Sequence, residues 1–136
     1  MIINDDAGLR RILETQKVIA MVGLSPKADR PSNTVARYLL AQGYTVIPVN
    51  PGQREILGQP CYASLRDIPV KVDMVDVFRN AADVPPIAAD AIAIGAKSLW
   101  LQLGVINPEA AEAASNAGLD VVMDRCPKID HARLFG

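Results

Sequence analysis

Short, almost unbroken apolar runs, each followed by a longer segment of helical periodicity, constrain this chain more than any other feature. Lys17 to Gly23 (KVIAMVG) has no polar residue between its two ends, which is how a strand covered on both faces reads. Tyr44–Val49, Val72–Phe78, Ser98–Leu101 and Asp120–Met123 repeat the pattern. Between them lie a helix over Ser32–Gln42 with Val35, Ala36, Leu39 and Leu40 on one face, a helix over Asp83–Ala96 with Pro85 and Pro86 in its first turn, and an alanine-rich helix opened by Asn107-Pro108-Glu109. Gly43 and Gly118 stand where the first and last of these should stop. Ahead of the first strand, Asp5 or Asp6 caps a helix that presents Leu9, Ile12 and Leu13 to the core. Strands alternating with helices demand right-handed crossovers, so the fold class is α/β: a Rossmann-like, doubly wound parallel sheet with helices on both faces.

Several details qualify that outline. Pro48 removes one ladder donor, so its end of the second strand should meet a gap or an irregular pairing. Gln59–Tyr62 reads as a short edge strand and Ser64–Asp67 as a single helical turn. Asp73 and Asp76 make the Val72–Phe78 strand less purely apolar than the first. Arg125–Gly136 is expected to be a polar tail beside the carboxyl end of the first strand. Half of the 136 residues are hydrophobic, enough for one domain over 1–136 to bury a core unaided.

Composition narrows the function. Fourteen basic and fifteen acidic residues leave a net charge of −1, so there is no general field to draw in nucleic acid or an anionic membrane, and any anion must be held locally. Cys61 and Cys126 lack the C-x-x-C spacing of a metal or redox site, which fits a reducing, cytoplasmic setting. Asn4, Asp5 and Asp6 stand where a signal peptide carries positive charge, and no stretch approaches the roughly 20 apolar residues of a membrane span.

In a doubly wound sheet the ligand sits beyond the carboxyl ends of the strands where their order reverses. That directs attention to the loops 23–32, 50–58, 78–82, 102–107 and 124–131. The first joins a buried strand to a helix amino end, whose free N–H groups favour an anion. Lys27 and Arg30 add positive charge, Ser25 and Ser32 hydroxyls, and Gly23 a close backbone approach. The competing reading is that Ser32 caps the helix while Lys27 and Arg30 are solvated. The loop is no dinucleotide fingerprint: G-x-G-x-x-G counted from Gly23 places Ser25 and Ala28 where glycines belong, and Asn50-Pro51 replaces the ribose-binding acid. NAD is thereby disfavoured, and a Walker pattern is absent as well.

Gly23-Leu24-Ser25-Pro26, Arg30-Pro31-Ser32, Pro48-Val49-Asn50-Pro51, Val75-Asp76-Val77-Phe78-Arg79, Trp100-Leu101-Gln102-Leu103-Gly104 and Asp124-Arg125-Cys126-Pro127-Lys128 together resemble the small stand-alone CoA-binding proteins, similar in fold to the amino-terminal domain of the succinyl-CoA synthetase α subunit. The resemblance implies a site for coenzyme A or an acyl-CoA. In it Gly23, Leu24, Ser25, Lys27, Arg30 and Ser32 face the diphosphate, Asn50 and Pro51 line the adenosine side, and Arg54 reaches the ribose 3′-phosphate. Phe78 and Arg79 border adenine or pantetheine, and Gln102 and Gly104 lie along the next strand's edge. For Phe78, as for Trp100, core packing is the alternative. Cys126 lies between Arg125 and Lys128, two cations that favour a thiolate, and it joins the candidate set as a residue that meets the CoA thiol; the alternative is an ordinary buried cysteine. His131 is read as structural. The resulting expectation is a carrier, sensor or regulatory protein without evident catalysis, with a protein partner or a homo-oligomer left open. An NAD(P)-binding oxidoreductase or redox-sensing nucleotide domain is the alternative.

Overall fold

Alternation of side chains along the strands divides the core in two. The computed structural model describes residues 1–136. β1 (Val18–Val22), β2 (Thr45–Val49), β5 (Met74–Val77), β6 (Ser98–Leu101) and β7 (Asp120–Val122) form one sheet in the order β2-β1-β5-β6-β7, every pairing parallel. Ile19, Met21, Met74, Trp100 and Val122 point to one face, where they meet α1 (Asp6–Thr15), α2 (Pro31–Ala41) and α5 (Pro127–Phe135). Ala20, Val22, Val75, Val77, Leu99 and Leu101 point to the other, against α3 (Val84–Ala93) and α4 (Pro108–Asn116). The inward residues of those two helices are mostly alanines, Ala88, Ala91, Ala110, Ala111 and Ala114, which let the helices lie close to the sheet. The strand order reverses between β1 and β5, and right-handed crossovers in the two directions put the helices on opposite faces.

The expected acidic cap of α1 makes no side-chain hydrogen bond: Asp5 precedes the helix in extended geometry and its carboxylate caps nothing. Asn107 Oδ1 accepts from the Ala110 N–H at 3.0 Å at the start of α4. Gly43 and Gly118 follow α2 and α4 with φ of 92° and 98°. Pro48 lies in an edge strand: its carbonyl accepts from Tyr62 N–H, and Asn50 N–H donates to Tyr62, so the outer side of β2 carries a single parallel bridge, Val49 to Tyr62. The position of a third Rossmann strand is reduced to that bridge.

Three further expectations are corrected. Gln59–Tyr62 is not one edge strand: β3 (Glu55–Ile56) and β4 (Gln59–Pro60) make a separate small hairpin before Tyr62 reaches the sheet. Helix α2 begins one residue earlier than expected, with Arg30 as the flanking residue and Pro31 at its first position. Arg125–Gly136 is no tail. It contains α5, which packs against α1 and α2 through the half-buried Leu134, through His131 bonded to the Tyr38 hydroxyl at 2.8 Å and through Arg133 bonded to Asp6 at 2.9 Å, while Arg125 pairs bidentately with the buried Asp130 at 2.8 Å within the segment.

Candidate functional site

The loop after β1 is held by the helix it leads into. Ser32 Oγ accepts from Ser25 N–H at 3.0 Å, and Asn33 Nδ2 donates to the Ser25 carbonyl at 2.9 Å. One turn on, Arg37 donates through Nε to Asn33 Oδ1 at 2.9 Å and through Nη2 to the Ala28 carbonyl at 3.0 Å. From the other side Asn50 Nδ2 donates to the Leu24 carbonyl at 2.9 Å. These bonds fix the loop before any ligand arrives. Pro31 has no N–H and no backbone carbonyl accepts from the Ser32 amide, so that amide is the free donor at the helix start.

Gly23 has a φ of 88°, and a Cβ there would collide with the Phe78 carbonyl oxygen and meet Arg79 Cδ at 3.0 Å. Glycine is thus required by the neighbouring strand's backbone, a stronger constraint than the ligand approach inferred from sequence.

Three cavities run side by side along the carboxyl edge of the sheet. One, about 190 Å³, is lined by Gly23, Ser25, Arg30, Pro31, Ser32 and Phe78. Pro31 and Phe78 also border a cavity of about 440 Å³ whose other walls are Arg79, Asn80, Gln102, Leu103 and Val105. Arg79 in turn borders a third, about 180 Å³, lined also by Val22, Val49, Pro51, Ala63, Ser64, Leu65, Ile87 and Asp90. Arg79 is half exposed and pairs with Asp83 at 3.5 Å, while Asp90 is held by Arg66 Nε at 2.7 Å. Together they form one trough at the β1/β5 switch point, with Arg30 in one cavity, Arg79 shared by the other two, and an apolar wall of Val22, Val49, Leu65 and Ile87 in the third.

Of the residues singled out from sequence, the structure brings Gly23, Ser25, Arg30, Ser32, Pro51, Phe78, Arg79 and Gln102 to this trough. Leu24 offers only its backbone, since its side chain is wholly buried in the core. Asn50 braces the loop from below. Lys27 and Arg54 are exposed and line none of the three cavities. Gly104 N–H donates to Asp124 Oδ1 at 2.7 Å, tying together the loops after β6 and β7. Cys126 is 5% exposed, packed in the α1/α2/α5 core. The two cations beside it in sequence turn elsewhere, Arg125 to Asp130 and Lys128 over the Tyr38 ring at 5.8 Å, so the expected meeting of Cys126 with a ligand thiol has no geometric basis. Burial pushes the half-buried Cys61 thiol above its usual value of 9.0. His131 Nδ1 shares a 2.8 Å hydrogen bond with the Tyr38 hydroxyl among Tyr44 and Phe135, a packing role.

Sequence reasoning missed the brace Asn33 and Arg37 and the apolar wall formed by Ala63, Leu65 and Ile87. The i, i+4 spacing of Asn33 and Arg37 in the helix after a binding loop was the available signal; the wall residues carry none, because they come from two segments remote in the chain. Asp76 is also unexpected in its setting. It is fully buried on β5 between Met21 and Trp100, and neither carboxyl oxygen has a hydrogen-bond partner. Desolvation holds its pKa well above 3.8; the Val77 amide opposes that shift without reaching hydrogen-bond geometry.

Fold and trough together define a Rossmann-like α/β protein with its cavities at the switch point of the sheet. The chain belongs to the CoA binding domain family, whose model matches residues 17–132. It is 39% identical over 126 residues to the protein YneT of Bacillus subtilis (strain 168), covering 93% of each chain. It is 32% identical over 120 residues to acetate–CoA ligase (ADP-forming) I of Archaeoglobus fulgidus, covering 81% of this chain but 18% of that much longer ligase. A solved structure, a hypothetical protein from Pyrococcus horikoshii OT3, superposes with a TM-score of 0.95 at 44% identity, covering 98% of this chain and 94% of that one. Family membership supports coenzyme A binding in general. No helix is long and apolar enough to cross a membrane.

Proposed function

We propose that this chain binds coenzyme A or an acyl-CoA along the switch-point trough and acts as a carrier, sensor or regulatory protein rather than as a catalyst. The observation that carries the reading is the position of the charged cavity within a chain matched to the CoA binding domain over 17–132: Arg30 and the free Ser32 amide stand at the helix start, where a phosphate is best held. The lining of each cavity suits one part of the ligand. An adenine would lie in the apolar cavity between Val49, Pro51, Leu65 and Ile87, the diphosphate against Arg30 and Ser32, and the pantetheine arm along Phe78, Gln102 and Val105. The ionisable side chains lining the trough are Arg30, Arg79 and Asp90, two cations suited to anion binding and a carboxylate already held by Arg66. That set supports binding more than turnover.

A thermal-shift series at fixed ligand concentration tests this, because stabilisation follows RT ln(1 + [L]/Kd) and ranks affinities. CoA should raise the midpoint most, dephospho-CoA less and NAD or NADP least. A larger rise with NAD or NADP than with CoA would replace the CoA reading with a dinucleotide one.

A further inference from the structure

The side-chain oxygen of Gln102 is buried and has nothing to bond. It follows β6 directly, and its own N–H donates to the Val77 carbonyl at 3.2 Å, which anchors its backbone at the sheet edge. The residue is 8% exposed and forms part of the wall of the 440 Å³ cavity, yet Oε1 has no donor. Its neighbours leave it so: Pro31 lacks an N–H, Phe78, Leu103 and Val105 are apolar, Arg79 pairs with Asp83, and the exposed Asn80, the other amide on this wall, makes no hydrogen bond to it. A buried acceptor left without a partner carries its desolvation penalty uncompensated, so the cavity wall is complementary to a donor that none of its neighbours gives it.

The chemistry of that donor follows from the surroundings. An ammonium would need a countercharge, and no carboxylate lines this cavity. A neutral N–H on an otherwise apolar chain fits, and the cavity opens through Pro31 and Phe78 onto the Arg30 phosphate position. We propose that Gln102 is the specificity-determining residue for the amide-bearing arm of the ligand, its Oε1 accepting a secondary-amide N–H of pantetheine and so separating pantetheine nucleotides from bare ones. This rests on the coenzyme A reading above.

The test is calorimetry of the wild type and Gln102→Met with CoA and with 3′-phosphoadenosine 5′-diphosphate, which lacks the arm, together with the unliganded melting temperature. The expected result is CoA binding weakened about tenfold by the variant, unchanged affinity for the armless nucleotide, and an unliganded midpoint equal to or above the wild type, since the orphan oxygen is gone. Equal weakening of both ligands, or unchanged CoA affinity, overturns the proposal while leaving the nucleotide site standing. Failure of the wild type to bind either ligand overturns the coenzyme A reading and the proposal with it. Should the variant not fold, CoA analogues N-methylated at one or the other pantetheine amide answer on the wild type: a tenfold loss for one of them supports the contact, and full affinity for both refutes it.

Discussion

Changing Asp76 to asparagine should abolish a specific slope in the pH dependence of stability. In the folded protein the Asp76 carboxyl is fully buried, without a hydrogen-bond partner, and desolvation raises its pKa well above 3.8. In the unfolded chain it titrates near that ordinary value. Across the window between the two pKa values the native state holds one proton that the unfolded state has released, so ν_U − ν_N approaches −1 and unfolding free energy falls by about 1.4 kcal/mol for each pH unit gained. The stability contributed by the neutral carboxyl is complete below the unfolded pKa and is lost as pH rises through the folded one. An asparagine side chain cannot ionise; its buried amide costs about 1–3 kcal/mol, but that cost does not vary with pH. The free energy of unfolding of the variant minus that of the wild type should therefore climb by about 1.4 kcal/mol per unit from about pH 5 upward, until the folded pKa is reached. Urea unfolding at closely spaced pH values measures it, with equal m-values required so that the comparison concerns stability alone. A difference that stays flat from pH 5 to 7 would show that Asp76 is ionised in the fold, and the account of it as an unpaired neutral acid would be wrong.

Arg30→Ala should weaken CoA binding about tenfold or more by calorimetry, since hydrogen bonds to charged groups are worth about 1.5–3 kcal/mol, while Lys27→Ala, altering an exposed side chain outside the cavities, should change it far less; equal losses would contradict the placement of the two cations. Gly23→Ala should destabilise the protein by about 1–3 kcal/mol or more, because the new Cβ meets the Phe78 carbonyl at a φ of 88°, and an unchanged urea midpoint would count against that clash. Desolvation first, and the charge of Lys17 second, hold the His131 pKa below 6.5, so its contribution is present above the unfolded pKa and lost as pH falls through the folded one. His131→Gln should accordingly flatten the loss of melting temperature on acidification below about pH 6.5, and an identical profile would place the loss elsewhere.

Local periodicity was enough to read the strands, three of the helices between them and the α/β class, because burial on both faces leaves an apolar run and burial on one leaves a stripe. The cap at Asn107 was equally legible, since Asn107, Pro108 and Glu109 place an acceptor, a first-position proline and an acidic residue in succession. Helix α5 was not legible. Asp130 is buried under its pair with Arg125, Arg133 reaches Asp6 of α1, and His131 packs edge-on to Tyr38 and Tyr44, so its inward face carries polar residues and the stripe is lost; Pro127 at its first position was the remaining cue.

For the site, sequence by itself marked the loop after β1 and its neighbours at the switch point, because strand order and helix starts determine where an anion is welcome. It could not rank Arg30 above Lys27, take Cys126 into the core, or join Leu65 and Ile87 into a wall beside Pro51. Nor could it single out Asp76 and Gln102 as the buried polar side chains without partners. Those are distances between segments remote in the chain, and packing of the two helical layers on the sheet decides them. A residue's type states what it can bond, but only the tertiary structure states which groups come near enough to do so.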